Sequence, residues 1–147
     1  MTRRPNILVL CTGNSCRSQM AEGFFRQAVG ERFDVHSAGT EPKPEVHPLA
    51  LEAMKEVEID ISAQRPKDVK EFLGHLSGGY LVIVCDRANE SCPRVFPGHW
   101  ERLYWPFDDP SDFHGSHDEK LAKFRAVRDE IKAAIDAWSS ELKLAVE

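Results

Sequence analysis

The chain has 147 residues, 41% of them hydrophobic and 29% charged, and carries a net charge of −5 at pH 7. These values describe a single soluble globular domain over residues 1–147, and they exclude a basic nucleic-acid surface or a face built for anionic membranes. The short apolar run near the amino terminus is neither a signal peptide nor a membrane span, so a cytoplasmic monomer is expected, in which four cysteines point to redox, catalytic or metal chemistry.

Ile7 to Leu10 is an apolar run that predicts a buried strand ending at Cys11. A small-residue loop follows, Thr12-Gly13-Asn14-Ser15-Cys16, and then Arg17 and Ser18 open a helix with Met20, Phe24 and Ala28 on one face. A strand, a tight loop and a helix N-terminus together bind oxyanions, because backbone N–H groups converge on one centre and the helix dipole adds positive potential. Gly13 and Asn14 are residue types that accept the positive φ such loops use. Arg17 offers a planar fork to two oxygens of one tetrahedral anion. Cys11 lies beneath, where the same field is expected to lower its pKa into the range of roughly 3.5–7.5 and leave a nucleophilic thiolate. Ser18 is read either as the helix N-cap or as a donor to that thiolate, and Cys16 as packing, with a protective disulfide to Cys11 as the alternative.

Gly30 predicts the end of the first helix, and Phe33 to Ser37 a second strand. Pro48 opens a second helix with Ala50, Met54 and Val57 on one face, and Pro66 a shorter third one carrying Val69, Phe72 and Leu73. After the Ser77-Gly78-Gly79 turn, Tyr80 to Val84 is a second continuous apolar strand ending on Cys85. An irregular loop marked by Pro93, Pro97 and Gly98 leads to a brief strand, Arg102 to Trp105. Ser116 to Glu119 is a capping box opening a long helix with Leu121, Phe124, Ile131, Ile135 and Trp138 in one stripe. Alternating strands and helices predict a three-layer α/β fold, with a four-stranded parallel sheet in the order 2-1-3-4 and helices on both faces. Strands one and three are then neighbours, so Cys11 and Cys85 share one rim.

The segment from Cys85 to Cys92 reads as a redox pair, in which Cys85 attacks an intermediate on Cys11 and Cys92 resolves Cys85. Two unrelated thiols, or a metal site with His99, are the alternatives, although the spacing fits no common zinc pattern. Phe107-Asp108-Asp109-Pro110 follows the last strand on the same rim and offers either a general acid for a departing oxygen or a solvated turn. His114 and His117 read as solvated.

On these residues the chain resembles the low-molecular-weight protein tyrosine phosphatase superfamily, and within it the thioredoxin-coupled arsenate reductases. The carriers are CTGNSCRSQMAEG, the SAG after strand two, EAMKEVEIDIS, the Cys85/Cys92 pair, WPFDDP and FRAVRDEIKAAI, which together cover nearly the whole chain. Plain phosphatases tend to follow the Asp-Pro with a tyrosine, whereas Ser111 follows Pro110 here. The resemblance implies that arsenate sits in the loop from Cys11 to Ser18 and that Cys11 attacks arsenic with Asp109 as general acid. Cys85 then displaces arsenite, and Cys92 leaves a Cys85–Cys92 disulfide for thioredoxin to reduce. Phosphate and sulfate are expected as competing ligands. The alternative is a phosphomonoesterase using Cys11, Arg17 and Asp109, and a non-catalytic oxyanion-binding or redox-sensing module is a third reading. No cofactor and no metal ligand set are expected. Some members hold potassium through an Asn, a Glu, a Ser and an Asp. Asn14, Glu22 and Ser37 match, but Lys67 stands where the acid would be, which puts potassium dependence in doubt and makes its ammonium the cation's replacement.

Overall fold

A computed structural model of the chain describes residues 4–85 and 98–146, with side chains as far as residue 142. Strand β1 (Asn6–Cys11) is buried at every position. Since successive side chains of a strand point to opposite faces, both faces of β1 must be covered. It pairs in parallel with β2 (Asp34–Gly39) on one side and β3 (Gly78–Ile83) on the other, and β4 (His99–Tyr104) adds to β3, also parallel. The sheet order is β2-β1-β3-β4, the 2-1-3-4 arrangement expected from the alternation of elements.

Among the described residues three α-helices accompany the sheet: α1 (Arg17–Val29), α2 (Pro48–Lys55) and α3 (His117–Val146). The buried stripe of α1 runs through Met20, Ala21, Phe24, Phe25 and Val29, while Ala28 is exposed. The 3.6-residue period carries the stripe past the i, i+4 line drawn from Met20 and Phe24. On α2, Leu49, Ala50, Ala53 and Met54 are buried, but the helix ends at Lys55, so Val57 lies in the following turn and is half-buried. The third helix expected after Pro66 is only a single 3-10 turn, Val69–Glu71, held by a capping box between Asp68 and Glu71. Gly74, with φ 76°, ends any continuation.

Gly78 and Gly79, expected as a turn, begin β3 instead. Gly79 has φ 141° and its missing Cβ would fall on the carbonyl of Asn6 across the ladder. Only glycine admits that approach. On α3, Leu121, Phe124, Val127, Ile131 and Ile135 are buried in one stripe. The helix starts with the expected box: Ser116 Oγ accepts from the Glu119 amide and Glu119 Oε1 from the Ser116 amide, both at 3.2 Å. Arg128 of α3 donates to Ala53 O and to Glu56 at 2.9 Å each, clamping the end of α2. No helix among the described residues is long and apolar enough to cross a membrane.

Candidate active site

The loop from Cys11 to Arg17 is shaped from outside. Its carbonyls turn away from the centre and accept from the segment after β2: Thr12 O from the Glu41 amide, Gly13 O from Lys43 and Ser15 O from His47, each at 2.9 Å. With its carbonyls committed outward, the loop presents amides inward. Asn14 has φ 51° as expected, but Gly13 does not use a positive φ. What Gly13 provides is room: a Cβ there would lie 3.2 Å from Cγ of Lys43. Gly39 at the end of β2 matters in the same way, since a Cβ would lie 2.5 Å from Thr12 O. The glycine of the SAG motif therefore lets β2 come up against the loop, a role the sequence reading did not assign.

Buried polar side chains brace the loop from behind. Asn14 Nδ2 donates to Ser18 Oγ at 2.7 Å and to Ser37 Oγ at 3.0 Å, while its Oδ1 accepts from the Lys67 amide at 2.8 Å. Gln19 donates to Asn14 O at 2.9 Å. Cys16, not Ser18, is the N-cap of α1, and it makes no side-chain capping bond. Ser18 sits within the first turn, fully buried. The uncapped amides of that turn remain available to an anion.

Behind Asn14 lies a buried charge cluster. Glu22 accepts from Ser37 Oγ at 2.5 Å, pairs with Arg26 at 2.8 Å and faces the Lys67 ammonium at 3.7 Å. Lys67 Nζ also donates to Arg65 O at 2.7 Å. Of the residues matching a potassium site, Glu22 thus already has two cations, and Lys67 brings its own positive charge to the same carboxylate. The residues present do not fit a potassium ion.

Arg17 reaches across to the segment after β4. Its Nη1 donates to Phe107 O at 3.0 Å, and its Nη2 lies 3.4 Å from Asp109 Oδ2. Among the described residues its buried Nε has no partner, which leaves a donor that a ligand oxygen could satisfy. Asp109 caps a 3-10 turn (Pro110–Asp112), accepting from the amide and the hydroxyl of Ser111 at 3.0 and 2.7 Å. Those bonds hold Oδ1 and aim Oδ2 at Arg17. Asp108 instead pairs with Lys123 at 3.0 Å on the surface, so of the two it is Asp109 that faces Arg17. His114 and His117 are exposed.

Cys11 and Cys85 do meet. Both line one cavity, and Cys85 Sγ lies 3.3 Å from Thr12 Oγ1. The contact corrects the expected thiolate. The neighbouring Cys85 thiol and burial push Cys11 up, well above the ordinary thiol value, against the opposing pull of Arg17 and the Thr12 amide. Cys16 is a buried free thiol, pushed up to about 11 chiefly by burial. Cys92 lies outside the described residues. A metal site joining Cys85 to His99 is ruled out by register: His99 pairs with Gly78 at the start of β3, whereas Cys85 lies beyond its end. At about 3.3 Å per residue, the two are on the order of 20 Å apart along the sheet.

The assembled site is a cavity of about 430 Å³ lined by Cys11, Arg17, Cys85, Lys43 and Asp109 with the loop residues between. The sequence model of the low molecular weight phosphotyrosine protein phosphatase family matches residues 6–147. An arsenate reductase of Halalkalibacterium halodurans is 45% identical over 133 residues, covering 90% of this chain and 94% of that protein. One of Bacillus subtilis is 47% identical over 126 residues, covering 85% and 88%. A solved structure of an arsenate reductase in its phosphate-binding state superposes with a TM-score of 0.71 at 30% identity, over 93% of this chain and 98% of the other.

Proposed function

The chain belongs to the low molecular weight phosphotyrosine protein phosphatase family, and from that membership we propose that it reduces arsenate to arsenite through Cys11, Cys85 and Cys92, with thioredoxin restoring the thiols. The observation that carries the proposal is the pair of free thiols, Cys11 and Cys85, lining one cavity with the oxyanion loop. Hydrolysis of a phosphate ester needs one thiol there. A two-electron reduction needs two, one to form the arsenic–sulfur bond and another to break it. The names borne by relatives at 45% and 47% identity support the same reading.

In the proposed sequence the dianion HAsO₄²⁻ enters the loop Thr12–Ser18, where inward amides, the α1 dipole and Arg17 hold its oxygens. Cys11 attacks arsenic. Its thiol proton passes by way of Asp109 to the leaving hydroxide, which departs as water and leaves Cys11–S–AsO₃²⁻. Cys85 then attacks the sulfur of Cys11. The arsenic–sulfur bonding pair stays with arsenic, the Cys85 proton goes to the departing arsenite, and a Cys11–Cys85 disulfide remains. The Thr12 hydroxyl, 3.3 Å from Cys85 Sγ, is placed to donate to the Cys85 thiolate as it forms. Cys92 next displaces Cys11 from Cys85, so the disulfide moves to Cys85–Cys92, where the dithiol of thioredoxin reduces it by exchange. Lys67 supplies the positive charge at Glu22, so the enzyme works without potassium.

The test is NADPH oxidation with arsenate, thioredoxin and thioredoxin reductase, with phosphate replacing arsenate as control. Arsenate-dependent oxidation that is lost in Cys85→Ser and in Cys92→Ser supports the relay. No oxidation by the wild-type protein, with hydrolysis of an aryl phosphate intact, would instead establish the phosphatase reading, for which Cys11, Arg17 and Asp109 suffice.

A further inference from the structure

We propose that Lys43 is a second cationic binding residue of the oxyanion site, an ammonium tethered across the loop that strengthens capture of a divalent tetrahedral oxyanion. The inference rests on the proposed function for its substrate class, but not for its test.

Charge balance is the first argument. Beside the reacting thiols, the described lining of the cavity carries the carboxylates of Asp109 and Asp112, while Asp108 is paired with Lys123. Among the described residues of that lining the cations are Arg17 and Lys43. Arg17 is already engaged with Phe107 O and Asp109. A dianion entering beside Asp109 therefore needs more positive charge than Arg17 alone contributes, and Lys43 is the other source among the lining residues.

The second argument is how Lys43 is held. Its amide donates to Gly13 O at 2.9 Å. Its stem lies flat on Gly13, with Cγ, Cε and Cδ at 3.2, 3.3 and 3.4 Å from where a Gly13 Cβ would stand. Three methylenes packed on the loop hold this exposed side chain along the lining of the cavity. Its positive charge acts on both Cys16 and His47, opposing the rise that burial causes at Cys16 and adding to the fall that burial causes at His47. A compact, rotatable point charge suits an anion that enters and leaves, whereas the planar fork of Arg17 suits one that is seated.

The experiment is calorimetric titration of inorganic phosphate into the reduced wild-type protein, Lys43→Met and Lys43→Arg, at about 0.01 M and about 0.5 M salt, where screening is weak and strong. Methionine keeps the apolar stem on Gly13 and removes the charge. Lys43→Met is expected to weaken phosphate binding about three- to tenfold at low salt, the range of a partly exposed charge pair. The difference should shrink at high salt, Lys43→Arg should bind like wild type, and the melting temperatures without phosphate should coincide. Equal affinity of Lys43→Met and wild type at low salt would overturn the inference. So would a loss that high salt leaves unchanged, or a lowered melting temperature, since either would mean that the stem shapes the loop and the charge does not matter. If wild-type protein binds phosphate but turns over no arsenate, the proposed function fails while this inference is still decided by the binding data.

Discussion

Replacing Lys67 tests the charge cluster behind the oxyanion loop. The Lys67 side chain is 14% exposed and that of Glu22 only 5%, with 3.7 Å between ammonium and carboxylate. Stripping one partner from a buried pair costs about 3–5 kcal/mol when the remaining charge is left uncompensated. Here Arg26 still holds Glu22 at 2.8 Å and Ser37 still donates at 2.5 Å, so Lys67→Met is expected to lose about 2 kcal/mol. Arg65 O keeps its bond from Gln19 at 3.0 Å, so no orphaned carbonyl adds to that. For a domain of this size the melting temperature should fall by about 4–8 °C. The assay is thermal unfolding in potassium chloride and in choline chloride at equal ionic strength. Wild type should melt alike in both, because the ammonium already neutralises Glu22. Lys67→Ala, which opens space beside Glu22 and Ser37, should recover part of its loss in potassium alone. Potassium raising the wild-type melting temperature by several degrees, or Lys67→Met melting within about 1 °C of wild type, would refute the reasoning.

Two further outcomes follow from the titrating groups. The neighbouring Cys85 thiol is the largest cause raising Cys11, so Cys85→Ala should move the pH profile of Cys11 alkylation, read by peptide mass spectrometry, to lower pH; an unmoved profile would mean that the two thiols do not interact. Glu56, held by Arg125 at 2.6 Å and Arg128 at 2.9 Å, has its pKa lowered to about 2. A depressed carboxylate stabilises the fold above its unfolded pKa and stops doing so as pH falls through its folded one. Glu56→Gln should therefore melt below wild type at neutral pH, and the gap should close between about pH 4.5 and pH 2.

What the sequence made legible was mostly local. The strand, loop and helix around Cys11 are encoded within some twenty consecutive residues by an apolar run, small residues and Arg17, and they fold as read. The sheet order followed from the alternation of elements, and that order placed Cys11 beside Cys85 across 74 residues of chain. Features set by tertiary contact were not legible. The raised pKa of Cys11 depends on burial and on a thiol from another strand. The expected third helix shrank to one turn because Gly74 stops it and nothing local required more. Ser18 looked like a cap because its residue type suits one, but the chain enters the helix two residues earlier, at Cys16. Gly13 looked like a turn residue, and only the fold shows that it makes way for Lys43.

The outward-facing carbonyls of the loop have a consequence for observing it. The amides of Glu41, Lys43 and His47 donate to Thr12, Gly13 and Ser15 from outside the cavity. Their hydrogens can exchange with solvent only when those bonds open, and those bonds are what hold the cradle in shape. Exchange rates at three backbone positions that touch no ligand thus report how tightly the cradle is closed. In each redox state of the cysteines, slow exchange at all three would mark a cradle ready for an anion, and fast exchange one that has come apart while the sheet beneath it stays folded.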